Sequence, residues 1–211
     1  MVIWYKENII PRAFNKQESV EIRTSLKANA HQLFVSQGVL KTSIEQITSA
    51  AAIAKGSFYK FYASKELLFF ELLEETQNAI RTPLITIKSK QQTPDRQQLE
   101  RLLHKMFEQI SNDPLIQYMG QDKELLAIRR KVPAETLIAH QQDDQDFIDA
   151  LIMRWNNKAK PPLRDVVAAR MTLLLLISLK QDFLGPRLLT HAVSSAVVSL
   201  ADCFFSSETQ R

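Results

Sequence analysis

Hydrophobic residues recur at helical spacing in the first third of the chain. They begin after Glu18 and fall at positions i, i+4, i+8, i+11 and i+12, which is one stripe of an amphipathic helix. The residues of this stripe are Ile22, Leu26, Ala30, Leu33 and Phe34. Gly38 follows the last of them, as glycine often does just past a helix end. The pattern predicts a first helix from Glu18 to the residue before Gly38.

Shorter apolar patterns follow at once. Thr42 with the glutamate three residues later forms a capping box, which predicts the start of a second helix. A short third helix is expected from about Lys55, with Phe58 and Tyr62 turned inward. Ser64 is placed to cap a fourth helix, which we expect to run to about Arg81, ahead of the next proline.

The remaining prolines separate further helical patterns. A proline inside a helix removes a hydrogen bond, so helices are expected between the prolines. The chain has only four glycines, which also argues against a fold rich in hairpins. We therefore predict an all-α fold, with Gly120 as a break or kink in the second of these later helices. The expected ranges are 95–112, 114–131, 133–157, 162–184 and 188–206.

Charge and composition narrow the class of protein. The 211 residues carry a formal charge of +4, and all of the net excess lies in residues 1–66. This favours a polyanion-facing surface there, with an ordinary solvated basic face as the alternative.

Cys203 is the only cysteine, so no internal disulfide is expected. The longest apolar run, 171–179, is too short to span a membrane, and the N-terminal residues do not resemble a signal peptide. We expect a cytoplasmic protein without a membrane partner.

Two short helices joined by a tight turn, after a longer supporting helix, are typical of a helix-turn-helix reader of the DNA major groove. The residues resemble the DNA-binding signature of the TetR (tetracycline-repressor) family. The resemblance covers about a third of the chain, roughly residues 20–70. The segments that carry it are 42–47 (TSIEQI), 51–59 (AAIAKGSFY), 61–62 (FY) and 64–67 (SKEL).

This resemblance implies a domain order and a function. Residues 1–17 have no helical period and contain Pro11, which predicts an irregular arm. The resemblance implies a three-helix helix-turn-helix domain over 18–66 and a helical effector-binding and dimerisation domain over 67–211. It further implies a transcriptional regulator, expected to be a repressor, that binds a palindromic operator in double-stranded DNA as a homodimer. A small and largely apolar effector would release it.

The candidate DNA contacts follow from the matched positions. Lys55 and Ser57 are the candidates for base-edge contacts, and Gly56 would allow close approach to the duplex. Tyr59 and Lys60 are expected to reach the DNA backbone, as the family's equivalent tyrosine does. Phosphate contacts are expected where the second and fourth helices begin. The residues at those two places are Thr42, Ser43 and Lys65.

Three residues depart from the family pattern. Ala52 stands where the turn usually has glycine, and it fits only if its φ stays negative. Ala54 replaces a serine or threonine that often caps the recognition helix, and Thr48 replaces a small alanine. A missing cap costs on the order of 1 kcal/mol. The departures put the strength of DNA binding in question and leave the expected fold unchanged.

The second two-thirds of the chain supplies the other expected sites. Apolar residues of the middle helices, with two histidines as polar anchors, are expected to enclose the effector. They are His104, Met106, Phe107, Tyr118, Met119, His140, Phe147, Leu151 and Trp155. The last two helices are apolar on more than one face, which implies burial on several sides. In the resembled family these helices form the dimer interface, and the candidates are Val166, Leu173, Leu188, Ala192, Ala196 and Leu200.

Other interpretations remain open at this stage. The chain could be a helical adaptor or small-molecule-binding protein that has lost operator binding. An all-helical enzyme is disfavoured because no nucleophile–base pair, metal quartet or phosphate loop is visible. His140 with Asp143 and Asp144 has helical spacing that suits a metal, but a solvated acidic face explains it better. We predict no cofactor and no metal site.

Overall fold

The structure, a computed structural model, describes residues 14–86, 95–155 and 162–205. These residues form ten α-helices and one 3-10 turn, and no strand, in agreement with the predicted all-α class. The helices are α1 (Lys16–Gln37), α2 (Ile44–Ala50), α3 (Lys55–Phe58), α4 (Lys65–Ile85), α5 (Arg96–Asn112), α6 (Pro114–Tyr118), α7 (Asp122–Arg129), α8 (Ala134–Trp155), α9 (Pro162–Leu179) and α10 (Pro186–Phe205).

Capping interactions set both ends of α1. The Asn15 side chain accepts a hydrogen bond from the Glu18 amide, and the Glu18 carboxylate accepts one from the Asn15 amide, each at 2.8 Å. This box moves the helix start to Lys16, ahead of the expected Glu18. Gly38 ends α1 as predicted, with φ at 89°. Residues 1–13 of the predicted arm lie outside the described residues.

The second helix begins one residue later than predicted. Ser43, and not Thr42, is the N-cap, because its hydroxyl accepts from the Gln46 amide while the Gln46 side chain accepts from the Ser43 amide. The third helix begins at Lys55 as expected. Phe58 and the following Tyr62 are buried, which confirms their predicted inward packing.

The fourth helix continues past the proline that was expected to end it. Ser64 caps α4 by accepting from the Leu67 amide at 3.2 Å, as predicted. Pro83 lies in the last turn, where its missing N–H removes a single backbone hydrogen bond. The next residue, Leu84, is buried, and its carbonyl accepts the indole N–H of Trp155 at 2.8 Å. This tertiary anchoring offsets the proline and carries the helix to Ile85.

Gly120 divides the predicted 114–131 helix into α6 and α7. A Cβ at this position would lie 2.6 Å from the Leu179 carbonyl oxygen, so only glycine fits the close approach of the two segments. The later helices agree with the expected order. The parts of ranges 133–157 and 188–206 beyond residues 155 and 205 lie outside the described residues, and the predicted 162–184 helix ends at Leu179, before the 3-10 turn.

The arrangement of the helices gives α4 a central place. On one side α4 packs against α1, and on the other it packs against α5 and α8. Helices α5, α9 and α10 pack together as the body of the second part of the molecule. Of the helices in the described ranges, α10 has the length and mean hydropathy of a membrane span, by composition only. Four of its residues, Val197, Leu200, Ala201 and Phe204, are buried in the shared core.

The turn between α2 and α3 holds an unusual backbone conformation. Ala52 has a φ of 55°, so the condition of a negative φ, under which alanine would be tolerated in this turn, is not met. The turn is closed by the Ile53 amide, which donates to the Thr48 carbonyl at 3.0 Å. An L-residue with a Cβ is strained in this left-handed region, whereas glycine is not.

We therefore expect Ala52→Gly to stabilise the protein by about 1 kcal/mol. Thermal unfolding followed by circular dichroism should show a melting temperature roughly 2–4 °C higher. The matched control is Ala50→Gly at the last residue of α2, where glycine costs helix stability and should lower the melting temperature. A lower melting temperature for both variants would show that the backbone of Ala52 is not strained.

Candidate nucleic-acid interface

The segment from Lys55 to Lys60 forms an exposed surface, the ledge, that packs on buried side chains. Lys55, Gly56, Tyr59 and Lys60 are exposed, and the Tyr59 side chain is 54% accessible. Phe58 is fully buried beneath them. A Cβ at Gly56 would meet nothing within 4 Å, so the free protein itself leaves this surface open. The structure thus places most of the predicted contact residues of this segment together on one accessible surface.

Lys55 is not a free cation on this ledge. Its ammonium forms a close ion pair with the carboxylate of Glu45 in the first turn of α2. The hydrogen bond between them lowers the pKa of Glu45 and raises the pKa of Lys55. Both groups are fully at the surface, so another ion can replace either partner.

Neighbouring polar groups complete the ledge. Ser57 is half-buried, and its amide donates to the Ala54 carbonyl at 2.8 Å. Ala54 supplies no side-chain cap to α3, as the sequence predicted. The Lys60 ammonium lies 4.9 Å from the centre of the Phe14 ring. Ser43 is half-buried, with its hydroxyl engaged in capping α2.

Thr42 does not present its side chain at the surface, which corrects its assignment as a DNA contact. The residue is 1% exposed, and its hydroxyl donates to the Gly38 carbonyl at 2.7 Å. The Gln37 side-chain amide donates to the same hydroxyl at 3.2 Å. Thr42 therefore stabilises the loop between α1 and α2, and Ser43 is the residue left for a contact at this helix start.

Lys65 also has a structural role in place of the predicted phosphate contact. Its ammonium donates to the carbonyl oxygens of Val39 at 2.6 Å, Leu40 at 3.2 Å and Thr42 at 2.5 Å. An ammonium has three donors, so these bonds use its full capacity. Lys65 thereby ties the first turn of α4 to the α1–α2 loop.

Ion pairs join α1 and α4 beneath the ledge. Arg23 pairs with Glu71 at 2.6 Å, and Lys27 pairs with Glu71 at 3.2 Å and Glu75 at 2.5 Å. Burial raises the pKa of Glu71, but hydrogen bonds from Arg23 and Lys27 outweigh it, so the pKa lies below its ordinary value. Arg23 also lies over the Tyr62 ring, 5.0 Å from its centre. The network fixes α4 relative to the helix-turn-helix.

A cavity of about 330 Å³ lies between α4, α5, α8 and α9. Of the predicted effector contacts, Met106, Phe107 and Phe147 line it. The other six candidates do not line this cavity. His104 is exposed, and Leu151 and Trp155 are buried in the core away from the lining. Tyr118 and Met119 pack near the α1–α2 loop and the core, and His140 lies outside the lining.

Sequence reasoning missed the polar side of this cavity. Arg81 on α4 pairs with Asp144 on α8 at 2.6 Å, and its guanidinium lies 5.0 Å from the centre of the Phe147 ring. Gln77, one turn earlier on α4, has a buried side-chain oxygen with no hydrogen-bond partner among the residues that the structure describes. Residue types alone gave no signal here, because charged residues on amphipathic helices ordinarily face solvent.

His140 joins α4 to α8 beside the cavity. Its Nδ1 lies 3.4 Å from the Glu74 carboxylate, and its Nε2 lies 3.9 Å from Asp144. Burial raises the pKa of Glu74, and the neighbouring His140 opposes this shift. Within residues 14–86, 95–155 and 162–205, no three histidine, cysteine or carboxylate side chains are grouped as a metal site would need.

Helices α9 and α10 leave large apolar side chains uncovered. Among the predicted dimer contacts, Val166, Leu173 and Leu188 are exposed, with Leu173 57% accessible. Ala192 and Ala196 are partly buried. Leu200 is fully buried within its own chain, so its assignment to an interface was wrong. Leu176 and Val198 are also exposed and were not predicted.

Comparison with known proteins finds similarity over the region that contains the ledge. Residues 27–72 match the sequence model of bacterial regulatory proteins of the TetR family. The HTH-type transcriptional regulator AcrR of Shigella flexneri is 37% identical over 65 residues, which are 31% of this chain and 30% of AcrR. The HTH-type transcriptional regulator YuxN of Bacillus subtilis is 28% identical over 146 residues, 69% of this chain and 48% of YuxN. The matched region thus spans about half or less of these curated relatives.

Solved structures agree with the fold over most of the chain. A TetR transcriptional regulator from Rhodococcus sp. RHA1 has a TM-score of 0.61 at 12% identity, covering 91% of this chain and all of that one. A TetR-family regulator from Streptomyces coelicolor has a TM-score of 0.61 at 19% identity, with 89% and 84% covered. RolR, solved in complex with resorcinol, has a TM-score of 0.58 at 14% identity, with 93% and 97% covered.

The contacts of Lys65 predict a stability defect when it is replaced. Lys65→Ala leaves three carbonyl oxygens without their charged donor, which should cost about 2 kcal/mol. Thermal unfolding should show a melting temperature roughly 4–8 °C lower. Lys41→Ala removes an exposed lysine from the loop that Lys65 holds, and it should leave the melting temperature within about 1 °C. Equal melting temperatures for both variants would show that Lys65 is not structural.

Proposed function

We propose that this chain is a ligand-responsive repressor of the TetR type, which binds a palindromic operator as a homodimer. The observation that carries the proposal is the exposed α3 ledge on its buried support. Family members act as regulators and not as enzymes, and we propose no catalytic activity and a cytoplasmic location.

The ledge has the features of a major-groove reader. Lys55 and Ser57 are the candidates for base-edge contacts, and Gly56 keeps the surface between them low. Tyr59 and Lys60 are the candidates for backbone contacts, with Ser43 at the start of α2. In binding, Lys55 exchanges its surface ion pair with Glu45 for an acceptor on the DNA. The boundary that we propose between the two domains, residue 66, falls in the first turn of α4.

The uncovered face of α9 and α10 supports the homodimer. Leu173 and Leu176 on α9, with Leu188 and Val198 on α10, are 43–58% exposed. Exposed apolar patches on such helices mark interaction sites. A second copy would cover this face, which also accounts for the high mean hydropathy of α10 in a protein that we place in the cytoplasm. Pairing two ledges lets the dimer read two half-sites about one helical turn of DNA apart.

The cavity supports regulation by a small effector. Ile80, Met106 and Phe107 give part of its lining an apolar character. Among the described residues, the Gln77 side-chain oxygen adds an acceptor without a partner. RolR, which shares the fold, is solved with resorcinol, a hydroxylated aromatic. We propose that the effector is largely apolar and carries a hydrogen-bond donor for Gln77. Because α4 lines the cavity and also holds the α1–α2 loop through Lys65, a ligand that favours a different position of α4 would change the spacing of the two ledges.

Selection from a randomised pool of duplexes tests the main proposal. The wild-type protein should enrich a palindrome with half-sites about one or two helical turns apart. Lys55→Ala should change the preferred base within each half-site, because a lost base contact alters the choice of sequence. Enrichment of no duplex would instead favour the adaptor function, in which the helix-turn-helix no longer binds DNA.

A matched pair of variants separates dimerisation from the reading of bases. Leu173→Glu places a charge on the proposed dimer face and should weaken binding to the full palindrome more than to one half-site. Ile138→Glu changes an apolar residue on α8 that is more exposed than Leu173, and it should leave both affinities unchanged. Equal effects of the two variants would contradict the α9–α10 interface.

The buried oxygen of Gln77 predicts which ligands bind. Resorcinol should raise the melting temperature more than benzene does, because only resorcinol can donate a hydrogen bond to this oxygen. Gln77→Leu should abolish the difference and leave the benzene response at least as large as in the wild type. A larger response to resorcinol that persists in Gln77→Leu would show that this amide does not select the ligand.

A further inference from the structure

We propose that the end of α7 and the turn after it, with Arg129, Arg130 and Lys131, form a second phosphate-contacting surface of this protein. The inference rests on the proposed DNA-binding function and extends it to the part of the chain beyond the helix-turn-helix. Lys131 is the central residue of the proposal, and the two arginines are its exposed neighbours in the sequence.

The fold brings Lys131 to the helix-turn-helix. An open groove of about 410 Å³ is lined by residues at the start of α2, from α3, and from the start of α4. Ser43, Lys55 and Tyr59 are among these residues, and all three are candidates for DNA contact. Lys131 lines the same groove, although it lies some sixty residues further along the chain. The turn is therefore beside the surface that would face the duplex.

Lys131 determines the net charge of the residues that line this groove. Besides Lys131, the groove is lined by Lys55 and Lys65 and by two carboxylates, Glu45 and Glu66, so its other charges balance. Lys55 is paired with Glu45, and Lys65 is occupied by three backbone carbonyls. Lys131 is the cation that makes the lining net positive.

The turn carries uncompensated charge. In the part of the chain that the structure describes, neither Lys131 nor the two arginines makes an ion pair or side-chain hydrogen bond. Three adjacent cations repel one another at the end of α7, and a polyanion lowers that repulsion. Phosphate is the matching chemistry, because DNA presents one negative charge per about 1.7 Å of helix axis.

The backbone of the turn is already ordered. Ile128 and Val132 on either side are buried, at 2% and 6% exposure. The amides of Lys131 and Val132 both donate to the Ile128 carbonyl, at 2.9 and 3.1 Å. Binding would therefore order the lysine side chain without ordering the backbone, so the entropic cost of the contact is small.

Salt-dependent binding to a mixed-sequence duplex tests this surface. The wild-type protein, Lys131→Gln, Lys131→Arg and Lys105→Gln are titrated over a range of salt concentrations. Lys131→Gln should reduce the slope of log K against log [salt] by about 0.9 for each bound subunit. At about 0.15 M salt the affinity should fall about fivefold for each bound subunit. Lys131→Arg keeps the charge and should retain the wild-type slope.

Lys105→Gln is the matched control, since it removes an exposed lysine from α5, away from the groove lining. It should leave the slope unchanged, and the melting temperatures of all four proteins should agree. Wild-type binding with an unchanged slope in Lys131→Gln would overturn this inference and leave the proposed function in place. Failure of the wild-type protein to bind any duplex would overturn both.

Discussion

The packing of α4 against both halves of the molecule is the constraint on which the structure depends. On the side of α1, Phe69 meets Phe34 edge to face at 5.7 Å, and Glu71 holds two cations of α1. On the side of α8, the carbonyl of Leu84 accepts the indole N–H of Trp155. Burial of the aromatic rings supplies most of the energy here, because the partly exposed ion pairs each contribute only about 0.2–1 kcal/mol.

This arrangement explains how a cavity can be linked to a distant ledge. Gln77 and Arg81 line the cavity from α4, and Lys65 at the start of the same helix holds the α1–α2 loop. A rigid helix transmits a displacement of one end to the other, so a ligand need only bind two positions of α4 with different affinity. A differential affinity of a few kcal/mol is enough to reverse a two-state population. The Arg81–Asp144 ion pair at the cavity rim is a contact that such a ligand would alter.

Local sequence signals predicted the helices, and tertiary contacts decided where those predictions failed. Gly38 and Ser64 follow short-range rules of helix capping, which the sequence shows directly. Pro83 was expected to end α4, but the burial of its neighbour outweighs the loss of one backbone bond. The role of Lys65 could not be predicted, because its three acceptors come from a loop some twenty-five residues away. Arg81 and Asp144 at the cavity were missed for a similar reason, because they are 63 residues apart in the sequence.

The α3 segment depends more on tertiary contacts than the longer helices do, and the reason is physical. The third helix has only four residues and no side-chain cap, and the turn before it holds Ala52 in a left-handed conformation. Such a segment cannot be stable alone, because helices this short do not recover the cost of nucleation. Its order comes from Phe58 and Tyr62, which are buried beneath it. The ledge is thus positioned by the hydrophobic contacts under it, and its exposed residues can vary without loss of the fold.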